Sequence, residues 1–156
     1  MALTARDLIN KRLTVTPSAG AYADHDQIGS GVNTITDVFA SASRKGIIES
    51  ISVHDYTTQA AALTVHFFRS SPTNAVADNA QLGIADADMA SDWVGKVELP
   101  AANYQSVVTG AVCTVSNINL IVDSTDDNLY VLIESAGTPT YGASAALTFI
   151  IGLSRG

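Results

Sequence analysis

Apolar and polar residues along this chain alternate mostly in twos, the period of a strand that buries one face, and Val, Ile and Thr recur in the alternating runs. Leu13 and Val15 alternate with Thr14 and Thr16 until Pro17 ends the run. A second apolar segment runs from Ile35 to Phe39, and residues 41–46 after it read as a turn. The clearest strand is predicted at residues 46–56, with Ile47, Ile51 and Val53 on one face and Ser50, Ser52 and His54 on the other. Leu63, Val65 and Phe67 then alternate with Thr64 and His66. The short polar linker Thr57, Thr58, Gln59 predicts that the two strands form a hairpin or an adjacent pair. Phe68 falls opposite Phe67, so the end of this strand is expected to be covered on both sides.

Residues 70–79 change to Ser, Pro, Asn and Asp, which offer the backbone local hydrogen bonds in place of a ladder, and a crossover loop is expected there. Residues 86–94 hold the one internal helical signal. Asp86 or Asp88 is placed to cap it, and Met89 and Trp93, four apart, are expected to pack on the core. Val97 and Leu99 resume the alternation, and Val107, Val112 and Val115 mark short strands around Gly110. Apolar runs at 117–122 and 129–134 are joined by the acidic connector 123–128, a hairpin turn by composition. A loop at 137–142 precedes a last strand at 145–153. Eight or so strands without long intervening helices predict an all-β fold, an antiparallel β-sandwich of jelly-roll type with one short helix. Residues 1–12, with Arg6, Lys11 and Arg12 against Asp7 alone, read as an extended N-terminal arm, and residues 13–156 as a single β-sandwich domain.

Composition narrows the function classes. The 156 residues are 47% hydrophobic and 15% charged, enough for a core without a disulfide or structural metal. A net charge of -7 disfavours non-specific contact with nucleic acid or an anionic membrane. One cysteine, Cys113, excludes an intrachain disulfide framework and a cysteine-rich zinc site. No run approaches the roughly 20 apolar residues of a membrane-spanning helix. Arg6 and Asp7 interrupt what a signal peptide would need as an apolar core, so assembly in a reducing cytoplasm is expected.

Each chemical motif has a plainer structural use. Gly142, Ala143, Ser144, Ala145, Ala146 nearly matches a nucleophile elbow, but an elbow sits between a strand and a helix, and here a loop precedes and a strand follows. Cys113, flanked by valines, reads as a small buried hydrophobe. His54 and His66 would face each other across the expected strand pair and could share a metal, while His25 lies apart. Asp24, Asp26 and Gly29 resemble a fragment of a calcium loop without its terminal Glu, and the 123–128 connector is a second acidic candidate; solvated turns are the default for both. Trp93 and Tyr104 are the candidate aromatic platform of a carbohydrate-binding module or phage adhesin, the alternative function. The reading assigns no catalytic residue, no metal ligand and no cofactor.

Five segments taken together carry a resemblance: YADHDQIGSG (22–31), RKGIIESISVHD (44–55), LTVHFFRSSPT from Leu63, DADMASDWVG (86–95) and LYVLIESAGTPTY from Leu129. Their order resembles small virion proteins of tailed bacteriophages, among them capsid decoration or cement proteins with a jelly-roll fold. The resemblance implies a structural protein bound to the capsid exterior, with the major capsid protein and its own copies, as homodimer or homotrimer, for partners. It implies neither nucleic acid nor membrane as a partner. On this reading the arm cations Arg6, Lys11 and Arg12 are expected to reach an acidic capsid surface.

Overall fold

A computed structural model describes residues 7–73 and 76–155. The described residues form eleven strands: β1 (Asp7–Val15), β2 (Gly20–Ala21), β3 (Asn33–Ile35), β4 (Lys45–Asp55), β5 (Leu63–Phe68), β6 (Trp93–Leu99), β7 (Tyr104–Val107), β8 (Gly110–Asp123), β9 (Leu129–Ser135), β10 (Thr140–Tyr141) and β11 (Leu147–Arg155). Among the described residues one α-helix, α1 (Asp86–Ser91), lies between β5 and β6, and a single 3-10 turn (Ala101–Asn103) precedes β7. The strands form a five-stranded sheet β1-β11-β4-β8-β7, a four-stranded sheet β3-β9-β5-β6 and the small pair β10-β2. The antiparallel pairs β5·β6, β4·β8, β3·β9 and β1·β11 nest one inside the next along the chain. A chain doubled back at its middle and wrapped into two sheets has this order, which defines a jelly roll.

The core lies between the sheets. Ile51, Val53, Cys113, Phe149 and Ile151 come from one sheet, and Val65, Phe67, Val131, Ile133 and Leu99 from the other, all buried in one cluster. The alternation along β11 is regular: Leu147, Phe149, Ile151 and Leu153 point inward. In β4 the phase differs from the sequence pattern. A bulge between Ile48 and Ser50 puts Ile48 in the core and leaves Ile47 half-buried on the opposite face.

Three further expectations change. Strands β4 and β5 do not pair; they belong to opposite sheets. The buried Asp55 carboxylate accepts from Thr57 N and Oγ1, both at 2.8 Å, and from Ala60 N at 2.9 Å, which turns the chain across the sandwich. The 123–128 connector likewise passes from β8 to β9 in the other sheet. Finally, the expected arm is, from Asp7 on, the edge strand β1, paired with β11 along its whole length. Its outward residues are Leu8, Asn10, Arg12 and Thr14, while Ile9, Leu13 and Val15 face the core, a strand pattern that the basic charges mask. The domain thus begins within what reads as arm, and Arg6 lies outside the described residues.

Candidate functional site

The outer face of the five-stranded sheet is built by strict strand register. Leu8, Ser154, Ile47 and Ile121 make a row at one end. Asn10, Gly152, Ser50 and Ser116 follow, then Arg12, Ile150, Ser52 and Thr114. Thr14, Thr148, His54 and Val112 close the other end. Hydroxyls satisfy one another along the rows: Thr14 Oγ1 lies 3.1 Å from Thr148 Oγ1, and Ser52 Oγ lies 2.8 Å from Thr114 Oγ1. Short, mutually bonded side chains lose little entropy and little hydration when covered. In the bulge of β4, Glu49 accepts from Ser154 Oγ at 3.0 Å and flanks a groove of about 250 Å³ with Leu8, Asn10 and Gly152. Gly152 keeps that groove open, since a Cβ there would lie 2.5 Å from Ser50 Oγ.

At the Val112 end the β7–β8 turn projects apolar side chains. Val108 is 103% exposed, and Val107 and Tyr56 are about half exposed. Gly110, paired with Val107, packs against His54, and the His54 ring lies 4.0 Å from that of Tyr56, so these residues form one continuous tip.

A second polar constellation sits on the outer side of the four-stranded sheet. His66 on β5 and Glu134 on β9 are paired partners' neighbours in register, and His25 arrives from the loop before β3. Glu134 Oε2 lies 2.7 Å from His66 Nε2, and Oε1 lies 2.6 Å from His25 Nδ1. Burial pushes the Glu134 carboxyl up, but hydrogen bonds from His66 and His25 outweigh it and hold the group below the usual range. The His25 imidazole is raised, first by its hydrogen bond to Glu134 and then by the charges of Asp24 and Glu134. A cleft of about 440 Å³ opens beside them, floored by Leu63, Leu99 and Pro100 and edged by Lys96 and Glu98, which pair at 2.8 Å. This constellation escapes sequence reading because its members lie more than 40 residues apart and only the sheet register joins them. The only local signal is the alternation that puts His66 opposite Val65 and Phe67.

Two of the sequence-derived candidates, His25 and His66, meet here through Glu134, and the others fall elsewhere. His54 and His66 stand on different sheets, so they share no site. Ser144 is exposed in the turn before β11, and the Cys113 thiol faces the core, where burial pushes its pKa up. Asp26 accepts from Ala23 N at 2.7 Å, and Asp24 lies 3.4 Å from His25 Nε2. In the 123–128 connector, Asp126 accepts from Asn128 N and from the Tyr130 hydroxyl, while Asp123 and Asp127 pair with Arg69 and Arg44. Trp93 begins β6 instead of ending the helix, its indole Nε1 is enclosed, and Met89 is 39% exposed, so the expected helical core pair does not form. Tyr104 is half-buried, and burial drives its phenol pKa far up. Of the arm cations, Lys11 Nζ donates to Thr36 O at 3.0 Å, and Arg12 is exposed on the outer face.

No family model and no curated protein matches the sequence. Among solved structures the chain is similar to those of tomato aspermy virus, at 12% identity and a TM-score of 0.38 over 98% of this chain and 81% of that one. It is also similar to turnip yellow mosaic virus, at 14% identity and a TM-score of 0.32 over 99% and 82%. Desmodium yellow mottle tymovirus matches at 12% identity and a TM-score of 0.29 over 99% and 85%. The jelly roll is defined by the strand pairing described above and does not lean on these likenesses.

Proposed function

We propose that this chain is a structural virion protein that works by surface contact, and specifically that it binds the outside of a tailed-phage head and bridges neighbouring capsid subunits. The observation that carries this reading is the exposed apolar tip, Val107, Val108 and Tyr56, held on the end of a rigid two-sheet body. A fully exposed valine at the apex of a tight turn is suited to fill an apolar pocket of a partner, where a single buried side chain contributes about 1.5–3 kcal/mol. Many copies, each contributing a modest contact, stabilise an assembled shell over its dissociated subunits by mass action. Purified chain added to empty heads that lack it should bind in stoichiometric amounts and raise the temperature at which the heads open. Val108→Asp should abolish both effects with the fold intact by circular dichroism. A chain that never co-sediments with heads of its own phage overturns the reading.

A further inference from the structure

We propose that two copies of this chain pair face to face through the outer surface of the five-stranded sheet, about a two-fold axis that sets Arg12 of each copy in the groove beside Glu49 of the other. In a chain of net charge -7, the four rows of this face carry one cation, Arg12, one imidazole, His54, and one carboxylate, Glu49, from the bulge. A net charge of this size sets two copies against each other on average, and on this face they would meet over a surface that is close to neutral. The two opposite charges are also placed for exchange. Arg12 is on β1 and Glu49 on β4, with β11 between, and register sets Arg12 level with Ser52, three residues from Glu49. At about 4.8 Å per strand and roughly 3.3 Å per residue the pair is on the order of 14 Å apart. A two-fold axis lying along the face and passing over β11 near Ile150 and Gly152 swaps them, so both ion pairs form at once in an isologous contact.

The geometry of the face fits this occupant. Four strands by roughly eight residues, with the four-residue β7 at one corner, give a flat footprint on the order of 500 Å² before side-chain relief adds to it, against the about 800 Å² that each partner contributes to a standard interface. The 250 Å³ groove lies against Glu49 and is kept open by Gly152, so an arginine side chain can enter with its stem along Leu8. Two pairs of the hydroxyls that would be covered already share a hydrogen bond, Thr14 with Thr148 and Ser52 with Thr114, which halves the donors that the partner must satisfy there. Such a dimer carries two Val108 tips and could span two capsid subunits, yet it stands on the face alone and needs no virion role.

Sedimentation velocity of the purified full-length chain tests it, with no capsid present, so its failure is separate from failure of the function proposed above. The wild type should run at twice the 16.2 kDa chain mass. Arg12→Glu and Glu49→Arg should each weaken the dimer by about tenfold or more, because like charges then face each other in both halves of the contact. The double variant R12E/E49R should restore it. Val108→Asp should leave the dimer unchanged. A wild type monomeric at concentrations near 100 µM overturns the proposal, as do single variants that stay dimeric or a double variant that stays monomeric; restoration in the double variant also shows that the single variants are folded.

Discussion

At Gly29 the backbone has φ +83°, and a Cβ built there would lie 2.5 Å from Val15 Cγ1, so both conformation and space demand glycine. Gly31, at φ +69°, has nothing within 4 Å of the same position. Gly29→Ala should therefore destabilise the fold by about 2–4 kcal/mol in urea titration, and Gly31→Ala by only about 1 kcal/mol. The His25–Glu134 pair gives a residue-scale pH dependence. Glu134, lowered in the fold, contributes stability above its unfolded value of 4.5 and loses it as pH falls through the folded value. His25, raised in the fold, contributes below its unfolded value of 6.5 and loses it as pH rises through the folded value. The pair is strongest between those limits. Glu134→Gln should flatten both flanks of a plot of melting temperature against pH and return the His25 titration, followed by NMR, towards 6.5. Cys113, buried with a raised pKa, should react with a thiol reagent only at the rate of unfolding.

Among elements, the crossing from β4 to β5 depends on one side chain. Thr58 and Ala60 both lie in the left-handed region, at φ 59° and 49°, and Asp55 brackets this bend with hydrogen bonds from Thr57 N, Thr57 Oγ1 and Ala60 N. Asp55→Ala should cost about 2–3 kcal/mol in chemical denaturation, as expected when half-buried donors lose the acceptor that ties the bend. The β8–β9 connection is held similarly, with Asp126 bonded to Ser124, Asn128 and Tyr130. Both connectors are short and polar, the composition of a hairpin loop, which is why the sequence pattern pairs strands that the fold separates. A bend tied by Asp can return a strand beside its neighbour or send it to the facing sheet, and packing between sheets decides which.

For the whole molecule, the edge strand β1 matters more than its charges suggest. Deleting residues 1–12 removes Asp7 to Arg12 from a nine-residue strand and exposes the edge of β11. Such a variant should melt well below the wild type and aggregate on heating, as light scattering would show, because an unprotected edge pairs with other chains. Loss of capsid binding in that deletion would reflect a damaged sheet and would not by itself identify an anchoring arm.

What residue order determined by itself is the all-β character, the position of most strands and the inward set of residues such as Ile51, Val53, Val65 and Phe67, because a period of two and β-branched side chains are local properties. Only the tertiary structure decided which strands are neighbours, how the β4 bulge shifts Ile48 inward, and that His25, His66 and Glu134 meet. The physical reason is that strand pairing runs through backbone hydrogen bonds, which are the same for every residue, so the choice of partner is made by burial across the whole sandwich.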